Sequence, residues 1–159
     1  VVSKNFFCLF HGYKKGVTMN TETIIKVIQK CIDDTKQNKL YWKLLSSNPT
    51  LEKTKPLSLN NITSTRSLTI PLNFSSAYYA KYKNGFFFLK QSTQSAQLSF
   101  LQEGTIFLYV QKSLEAYSEL ITASDSNNSE INILLRRLFI IVDAQISDPD
   151  NFIDDFLNS

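Results

Sequence analysis

The side chains that could do nucleophilic or acid–base chemistry are few. From Met19 onward the chain has no histidine, and Cys31 is the one cysteine in that part. Cys31 falls on the apolar stripe of a predicted helix, where a cysteine is typically a small buried side chain. A catalytic thiolate needs a base or a cationic setting, and no histidine is available there to act as the base.

Motifs for metals and nucleotides are also missing from the sequence. A structural zinc site needs about four Cys, His, Asp or Glu ligands at regular spacing, and no such spacing occurs. There is no GxGxxG, Walker-type or HExxH motif, and the glycines at 85 and 104 fall in predicted hairpin turns. The C-terminal acids lack the EF-hand pattern; they are Asp148, Asp150, Asp154 and Asp155. We therefore expect no cofactor, no metal ion and no enzymatic activity.

The sharpest constellation lies on a predicted β-hairpin. Strands over residues 78–83 and 86–91 flank Asn84-Gly85, which is the strongest short hairpin signal. A two-residue turn at that position pairs Lys83 with Phe86 and Tyr79 with Lys90. Because side chains alternate across a strand, one face gathers lysines interleaved with aromatic rings. This basic–aromatic face consists of Tyr79, Lys81, Lys83, Phe86, Phe88 and Lys90.

The basic–aromatic face admits three interpretations. Aromatic rings and lysines together can stack single-stranded bases and track phosphates. The same pattern also arises on a solvated sheet face, where lysine stems lie along aromatic rings. Exposed aromatic side chains at this density can also mark a protein interface.

The C-terminal residues 148–159 form a second candidate contact surface. Asp148 followed by Pro149 is a helix-start signal, so the sequence predicts a short helix over residues 149–157. Its apolar side chains recur at spacings of three and four; they are Phe152, Ile153, Phe156 and Leu157. Such an acidic amphipathic helix either fits a groove on a partner or closes this domain.

The charge is distributed unevenly along the chain. Residues 1–18 carry three lysines and no acid, residues 19–112 carry 12 basic and 5 acidic residues, and residues 113–159 carry 2 basic and 9 acidic residues. The chain from Met19 is therefore neutral, with +7 before residue 113 and −7 after it. A neutral chain argues against non-specific binding to nucleic acid, although a local basic groove stays possible.

Residues 1–18 are set apart from the rest. The codons for residues 15–19 can encode a ribosome-binding purine run just before an ATG, and valine at position 1 suits a GTG start. We interpret residues 1–18 as a mis-annotated leader in an AT-rich bacterial or phage genome, or otherwise as a disordered tail.

Hydrophobic periodicity predicts the elements that position these candidates. A helix follows Asn20 or Thr21, a strand covers residues 40–46, and residues 46–67 form a loop with an edge strand near Leu57. Further strands cover residues 68–74, 98–102 and 105–111. Ser113 begins a short helix with Leu114, Tyr117, Leu120 and Ile121 facing inward. A helix that begins at Asn128 or Ser129 is apolar almost all round, because of Ile133, Phe139 and Ile140, and is expected to be fully buried.

These elements predict one α+β domain over residues 19–159. It has an antiparallel sheet of about five to six strands, with an N-terminal helix and C-terminal helices packed on one face. No apolar run approaches the roughly 20 residues that a membrane span needs, so we expect a cytoplasmic protein with no membrane contact. The leading functional hypothesis is a non-enzymatic interaction or regulatory module that contacts an unknown protein or forms a homodimer. The alternative is a single-stranded nucleic-acid-binding protein that uses the basic–aromatic face.

Overall fold

The computed structural model describes residues 19–55, 74–93 and 104–148, together with Ile153 and residues 156–158. Several sequence predictions lie outside these residues. They are the leader or tail at 1–18, the edge strand near Leu57, the strand at 68–74 apart from Phe74, the strand at 98–102, and Phe152.

Within the described residues, two long helices accompany a five-stranded sheet, and Ile153, Phe156 and Leu157 are also helical. The helices are α1 (Thr21–Lys36) and α2 (Ser129–Ile146). The strands are β1 (Trp42–Leu44), β2 (Phe74–Tyr82), β3 (Gly85–Ser92), β4 (Ile106–Gln111) and β5 (Glu119–Ala123). Every neighbouring pair is antiparallel and the spatial order follows the chain order from β1 to β5. The predicted α+β class is therefore confirmed.

Helix α1 begins where the sequence predicts. The Asn20 side chain accepts a hydrogen bond from the Thr23 backbone N–H at 2.8 Å, which satisfies one free donor of the first turn. At the other end, the Thr35 hydroxyl donates to the Cys31 carbonyl at 2.6 Å and accepts from Trp42 Nε1 at 2.9 Å. This buried bridge ties the last turn of α1 to the first residue of β1.

The main core lies between the two helices and one face of the sheet. The sheet contributes the buried side chains Trp42, Tyr78, Ala80, Leu89, Ile106 and Leu108. The helices contribute Ile28, Cys31, Ile32, Ile131, Leu135, Leu138, Phe139 and Val142. Side chains on one sheet face and one stripe of each helix thereby exclude water together, which is the main source of stability in such a layer.

The β2–β3 turn differs from the predicted turn by one position. Tyr82 pairs with Gly85 and Lys81 pairs with Phe86, so the turn residues are Lys83 and Asn84 rather than Asn84 and Gly85. Lys83 adopts the positive φ, at 53°. Each strand residue consequently has a partner two positions from the predicted one. Because side chains alternate with a period of two, this shift keeps the strand residues on their predicted faces, and Lys83 alone leaves its face for the turn.

Close packing explains why Gly85 lies in the strand. A Cβ atom at Gly85 would lie 2.6 Å from the Gln111 carbonyl oxygen and 3.0 Å from that of Lys112. A glycine at position 85 therefore allows the backbones of β3 and of residues 111–112 to approach closely. The residue with positive φ in this turn is Lys83, not Gly85.

The short helix predicted to follow Ser113 is wrong. The Ala116 N–H donates to the Ser113 carbonyl at 3.2 Å in a turn, and residues 119–123 then form β5. Pairing with β5 provides hydrogen-bond partners for the backbone N–H and C=O groups along the edge of β4. The helical spacing of apolar residues gives no indication that β4 needs such a neighbour. Leu114, Tyr117 and Leu120 are therefore exposed rather than turned inward, and Ile121 is half-buried against the core.

Two further predictions also need correction. The strand expected over residues 40–46 is limited to β1, because a 3₁₀ turn begins at Leu45 (Leu45–Ser47). Helix α2 is not buried all round: Phe139 is buried, but Ile133 and Ile140 are each 66% exposed. These two isoleucines lie two turns apart on the side of α2 that faces away from the core.

Replacing Gly85 with alanine tests the close approach at the hairpin. We expect Gly85→Ala to lower the free energy of unfolding by about 1–3 kcal/mol, because the new methyl group clashes with backbone atoms, which cannot change rotamer as a side chain can. Asn84→Ala, at the exposed neighbouring position, should change it by less than about 0.5 kcal/mol. Urea unfolding of both variants provides the measurement, and equal effects would contradict the packing argument.

Candidate functional site

The basic–aromatic face lies on the side of the sheet opposite the helices, and half of it is in the interior. Phe88 is 0%, Lys90 5% and Phe86 6% exposed. Lys81 and Lys83 are exposed, and Tyr79 is partly buried. The strand register places Tyr79, Lys81, Phe86, Phe88 and Lys90 on one side of the hairpin. Lys83 belongs to the turn instead, and its Nζ lies 5.4 Å from the ring centroid of Tyr82, a residue of the other face. Only part of the surface is therefore open to a ligand.

The chain segment that follows β1 covers this face. We call residues 45–55 the covering segment. Its Leu51 is buried against Phe86 and Phe88, with Leu45, Tyr79 and Tyr109 around them. The fully buried Gln111 fastens the segment, because its Nε2 donates to the Leu51 carbonyl at 3.1 Å and its Oε1 accepts from the Lys53 N–H at 2.9 Å. Residues 48–53, predicted to be a loop excursion, are therefore packed on the sheet.

Lys90 forms a buried ion pair with the covering segment. Its Nζ donates to Glu52 Oε1 at 2.7 Å, and the side chains of both residues are less than a tenth exposed. The same Nζ lies 4.8 Å from the ring centroid of Phe74 and 4.6 Å from that of Tyr109, within cation–π range. Ser118 Oγ donates a further hydrogen bond to Glu52 Oε1 at 2.9 Å. The Lys90 ammonium is thus neutralised internally rather than offered to a phosphate.

Replacing Lys90 with methionine tests this ion pair. Lys90→Met leaves the Glu52 carboxylate buried without its cation, so we expect a loss of about 3–5 kcal/mol in the free energy of unfolding. Adding Glu52→Leu to the same chain should recover most of that loss, because no buried charge then remains. The measurement is urea unfolding of the two single variants and the double variant.

Lys53→Met is the matched control for that series. Its partner Glu115 lies at 2.7 Å but is 88% exposed, so the loss should stay below about 1 kcal/mol. If Lys90→Met costs no more than Lys53→Met, the Lys90–Glu52 pair does not hold the covering segment.

Cys31 lies beside a small cavity between α1 and the hairpin. The cavity has a volume of about 260 Å³, and its lining includes Val27, Cys31, Leu40 and Phe87. Burial raises the pKa of the Cys31 thiol to about 12. The thiol therefore stays protonated at neutral pH, and the prediction that Cys31 is a small buried side chain is confirmed.

Alkylation measures the state of the Cys31 thiol. In a Cys8→Ser chain, Cys31 is the sole cysteine. We expect iodoacetamide at pH 8 to react with it at least roughly a hundredfold more slowly in the folded chain than in urea, because both burial and the raised pKa suppress the attacking thiolate. Equal rates in the two conditions would contradict the assignment of Cys31 to the core.

An exposed apolar stripe runs along α2. The outer stripe consists of Ile133, Arg137, Ile140 and Ala144, all of which are exposed. Their spacings of four, three and four place them on one face of the helix. A mixed stripe of this kind, with a cation between two exposed isoleucines, has the composition of a contact surface.

A cavity adjoins the outer stripe. The stripe cavity has a volume of about 320 Å³ and lies between α2 and strands β3 and β4. Its lining residues are Gln91, Ile106, Arg136, Phe139, Ile140, Asp143 and Ala144. Ile140 and Ala144 belong both to the stripe and to the cavity wall, so the two features form one continuous surface.

A hydrogen bond fixes the polar wall of the stripe cavity. The Tyr78 hydroxyl donates to Asp143 Oδ1. Burial, the hydrogen bond to Asp143 and the charge of Asp143 together raise the pKa of Tyr78 to about 12. Tyr78 therefore stays a donor at neutral pH and holds the Asp143 carboxylate in place.

The C-terminal candidate residues are helical and exposed where the structure describes them. Ile153 is 48%, Phe156 71% and Leu157 73% exposed, whereas Phe152 lies outside the described residues. The outer stripe and these residues are therefore both exposed in the same molecule.

Sequence reasoning missed the outer stripe for an identifiable reason. It interpreted Ile133 and Ile140 as signs of a helix buried on every side. A separation of seven residues, with Arg137 between them, is itself a pattern that places both isoleucines on a face bearing a charge. That pattern could have indicated the stripe, whereas the cavity depends on the packing of α2 against the sheet.

No protein-family model matches the chain, and neither curated proteins nor solved structures give a match. Within the described ranges, no group of three or more His, Cys, Asp or Glu residues is arranged to hold a metal ion. None of the helices in the described part of the chain is long and apolar enough to cross a membrane.

Proposed function

We propose that this protein is an interaction module that docks an acidic, apolar helical segment on α2. The observation that carries the proposal is the pair of isoleucines, Ile133 and Ile140, each 66% exposed, beside the stripe cavity. We call the outer stripe, Arg136 and the stripe cavity together the docking surface. The proposed role is non-enzymatic.

The shape of the docking surface favours a helical partner with one large anchoring side chain. A cavity of about 320 Å³ has room for an aromatic or aliphatic side chain. Burial of such an anchor in a pocket typically provides most of the energy of a small interface. The stripe continues along the helix axis on either side of Arg137, which suits a second helix laid against it.

The charge of the docking surface favours an acidic partner. Arg137 is exposed between the two isoleucines, and Arg136 and Asp143 line the stripe cavity, so the surface carries a net positive charge. An arginine can form two parallel hydrogen bonds to one carboxylate, so it would both attract an acidic segment and fix the orientation of that segment on α2.

The nucleic-acid hypothesis has less support from the geometry. Phe86 and Phe88, the rings needed for base stacking, are buried beneath the covering segment, and Lys90 is neutralised by Glu52. We therefore make no separate proposal for it. The cytoplasmic location and the bacterial or phage origin stay sequence predictions.

A designed peptide tests the docking surface directly. The probe is a fluorescent amphipathic helix with Phe and Leu at spacings of three and four and aspartates on its other face. We expect it to bind the full chain, and we expect Ile140→Glu to weaken binding at least about tenfold, because a carboxylate would replace an apolar contact. Fluorescence anisotropy measures both affinities.

Two controls accompany the peptide experiment. Leu114→Glu makes the same kind of change at a 55% exposed leucine away from α2 and should leave binding unchanged. A peptide with lysines in place of the aspartates should bind weakly. Equal binding of the two peptides, or an equal loss in Leu114→Glu, would refute the proposed docking surface.

A further inference from the structure

We infer that the cavity beside Cys31 is a binding site for a small aromatic molecule that carries a carboxylate group. We call this cavity the α1 cavity; its lining residues are Val27, Lys30, Cys31, Asp34, Leu40, Tyr82 and Phe87. None of these residues lines the stripe cavity on α2. The inference therefore goes beyond the proposed function and assigns a second site to another part of the molecule.

The walls of the α1 cavity are mainly apolar. Val27 and Cys31 line it from α1, Leu40 from the chain that follows the helix, and Phe87 from β3. Cys31 and Leu40 are each 4% exposed and belong to the main core, which holds these walls in place. Apolar walls offer water few hydrogen-bond partners. An apolar ligand group that displaces such poorly ordered water is bound favourably.

The volume of the α1 cavity limits the ligand to a small molecule. An apolar cavity of about 150 Å³ is large enough to take up benzene. The α1 cavity, at about 260 Å³, therefore has room for one ring and a short chain, or roughly ten non-hydrogen atoms. Tyr82 and Phe87 contribute aromatic rings to the lining. Aromatic pairs in edge or offset contact gain energy beyond their area burial, so these rings favour an aromatic ligand.

The charged groups around the α1 cavity favour an anion. Lys30 and Asp34 both line the cavity and form an ion pair at 2.9 Å. The side chain of Lys30 is 67% exposed and that of Asp34 is 19% exposed, so the ammonium is the more accessible of the two charges. Lys83 adds a second ammonium, 5.4 Å from the ring centroid of Tyr82. With two cations and one carboxylate nearby, a ligand carboxylate can form a charge-assisted hydrogen bond.

Three probes with the same phenyl group test the inference: 3-phenylpropionate, 3-phenylpropanol and 3-phenylpropylamine. At neutral pH they end in a carboxylate, a hydroxyl and an ammonium group. Each is titrated into the full chain with ¹³C-labelled valine and leucine methyl groups. The methyl signals of Val27 and Leu40 report binding in the α1 cavity, because both residues line it.

We expect 3-phenylpropionate to bind with a Kd of about 1 mM or tighter, as suits a ligand of its size. It should bind at least about threefold more tightly than 3-phenylpropylamine, because exposed charges make a modest but real contribution. The affinity of 3-phenylpropanol should fall between those of the two charged probes.

Two variants locate the bound probe. Val27→Phe places a ring in the α1 cavity and should weaken binding of 3-phenylpropionate at least about tenfold, because the space for the ligand is filled. Lys30→Gln should bring the affinities for the carboxylate and ammonium probes to within about twofold of each other, because Lys83 and Asp34 then balance. Circular dichroism and urea unfolding verify that both variants fold.

Lys26→Gln is the matched control for Lys30→Gln. Lys26 pairs with Glu22 at 2.6 Å one turn earlier on α1, in the same four-residue spacing, and does not line the α1 cavity. Its replacement should leave all three affinities unchanged.

Four results would overturn the inference. The first is an absence of change in the Val27 and Leu40 methyl signals at about ten times the expected Kd. The second is an ammonium probe that binds as tightly as the carboxylate probe. The third is a folded Val27→Phe chain with unchanged affinity, since the probe would then bind elsewhere. The fourth is an equal effect of Lys30→Gln and Lys26→Gln, which decides the matter even if Val27→Phe does not fold.

Discussion

The buried ammonium of Lys90 constrains the whole arrangement of this chain. A charge in the interior of a sheet is costly unless a counter-charge and further hydrogen-bonding groups accompany it. Glu52 supplies the counter-charge, but it does so only because residues 45–55 cross the sheet face to reach it. Further contacts hold the same segment in place: Gln111 donates to the Leu51 carbonyl, and Ser118 donates to Glu52. The ion pair therefore forms together with the covering of the sheet face that lies opposite the helices.

This covering decides which surfaces remain for function. With helices on one side and the covering segment on the other, the sheet offers a partner little of its apolar area. The exposed apolar side chains of the described residues lie instead at its periphery: on the outer stripe of α2, near the turn that precedes β5, beside β1 at Tyr41 and Leu44, at Tyr82 next to the β2–β3 turn, and at Ile153, Phe156 and Leu157. Among these surfaces, α2 alone combines exposed isoleucines with an adjoining cavity and two arginines, which is why the proposed function rests there.

The fold was predictable where a residue's neighbours in sequence determine its environment. Helix α1 follows from its cap and apolar stripe, and the two hairpin faces follow from alternation, which survives a two-residue shift in register. The burial of Phe86 and Phe88 was not predictable in this way, because the polar segment around Leu51 has the composition of a loop and its position depends on long-range contacts. The exposure of Ile133 depends on which side of α2 packs against the sheet. Hydropathy does not determine that side when apolar residues occur all round the helix.

The separation of charge along the chain acquires a structural meaning from the same arrangement. In the basic part, Lys90 forms a buried ion pair with Glu52, and Lys53 forms a surface ion pair with Glu115. In the acidic part, both arginines lie on α2. Arg137 places a positive charge between two exposed isoleucines in the part of the chain that is otherwise acidic, so charge attraction and apolar burial would act on a partner at the same place.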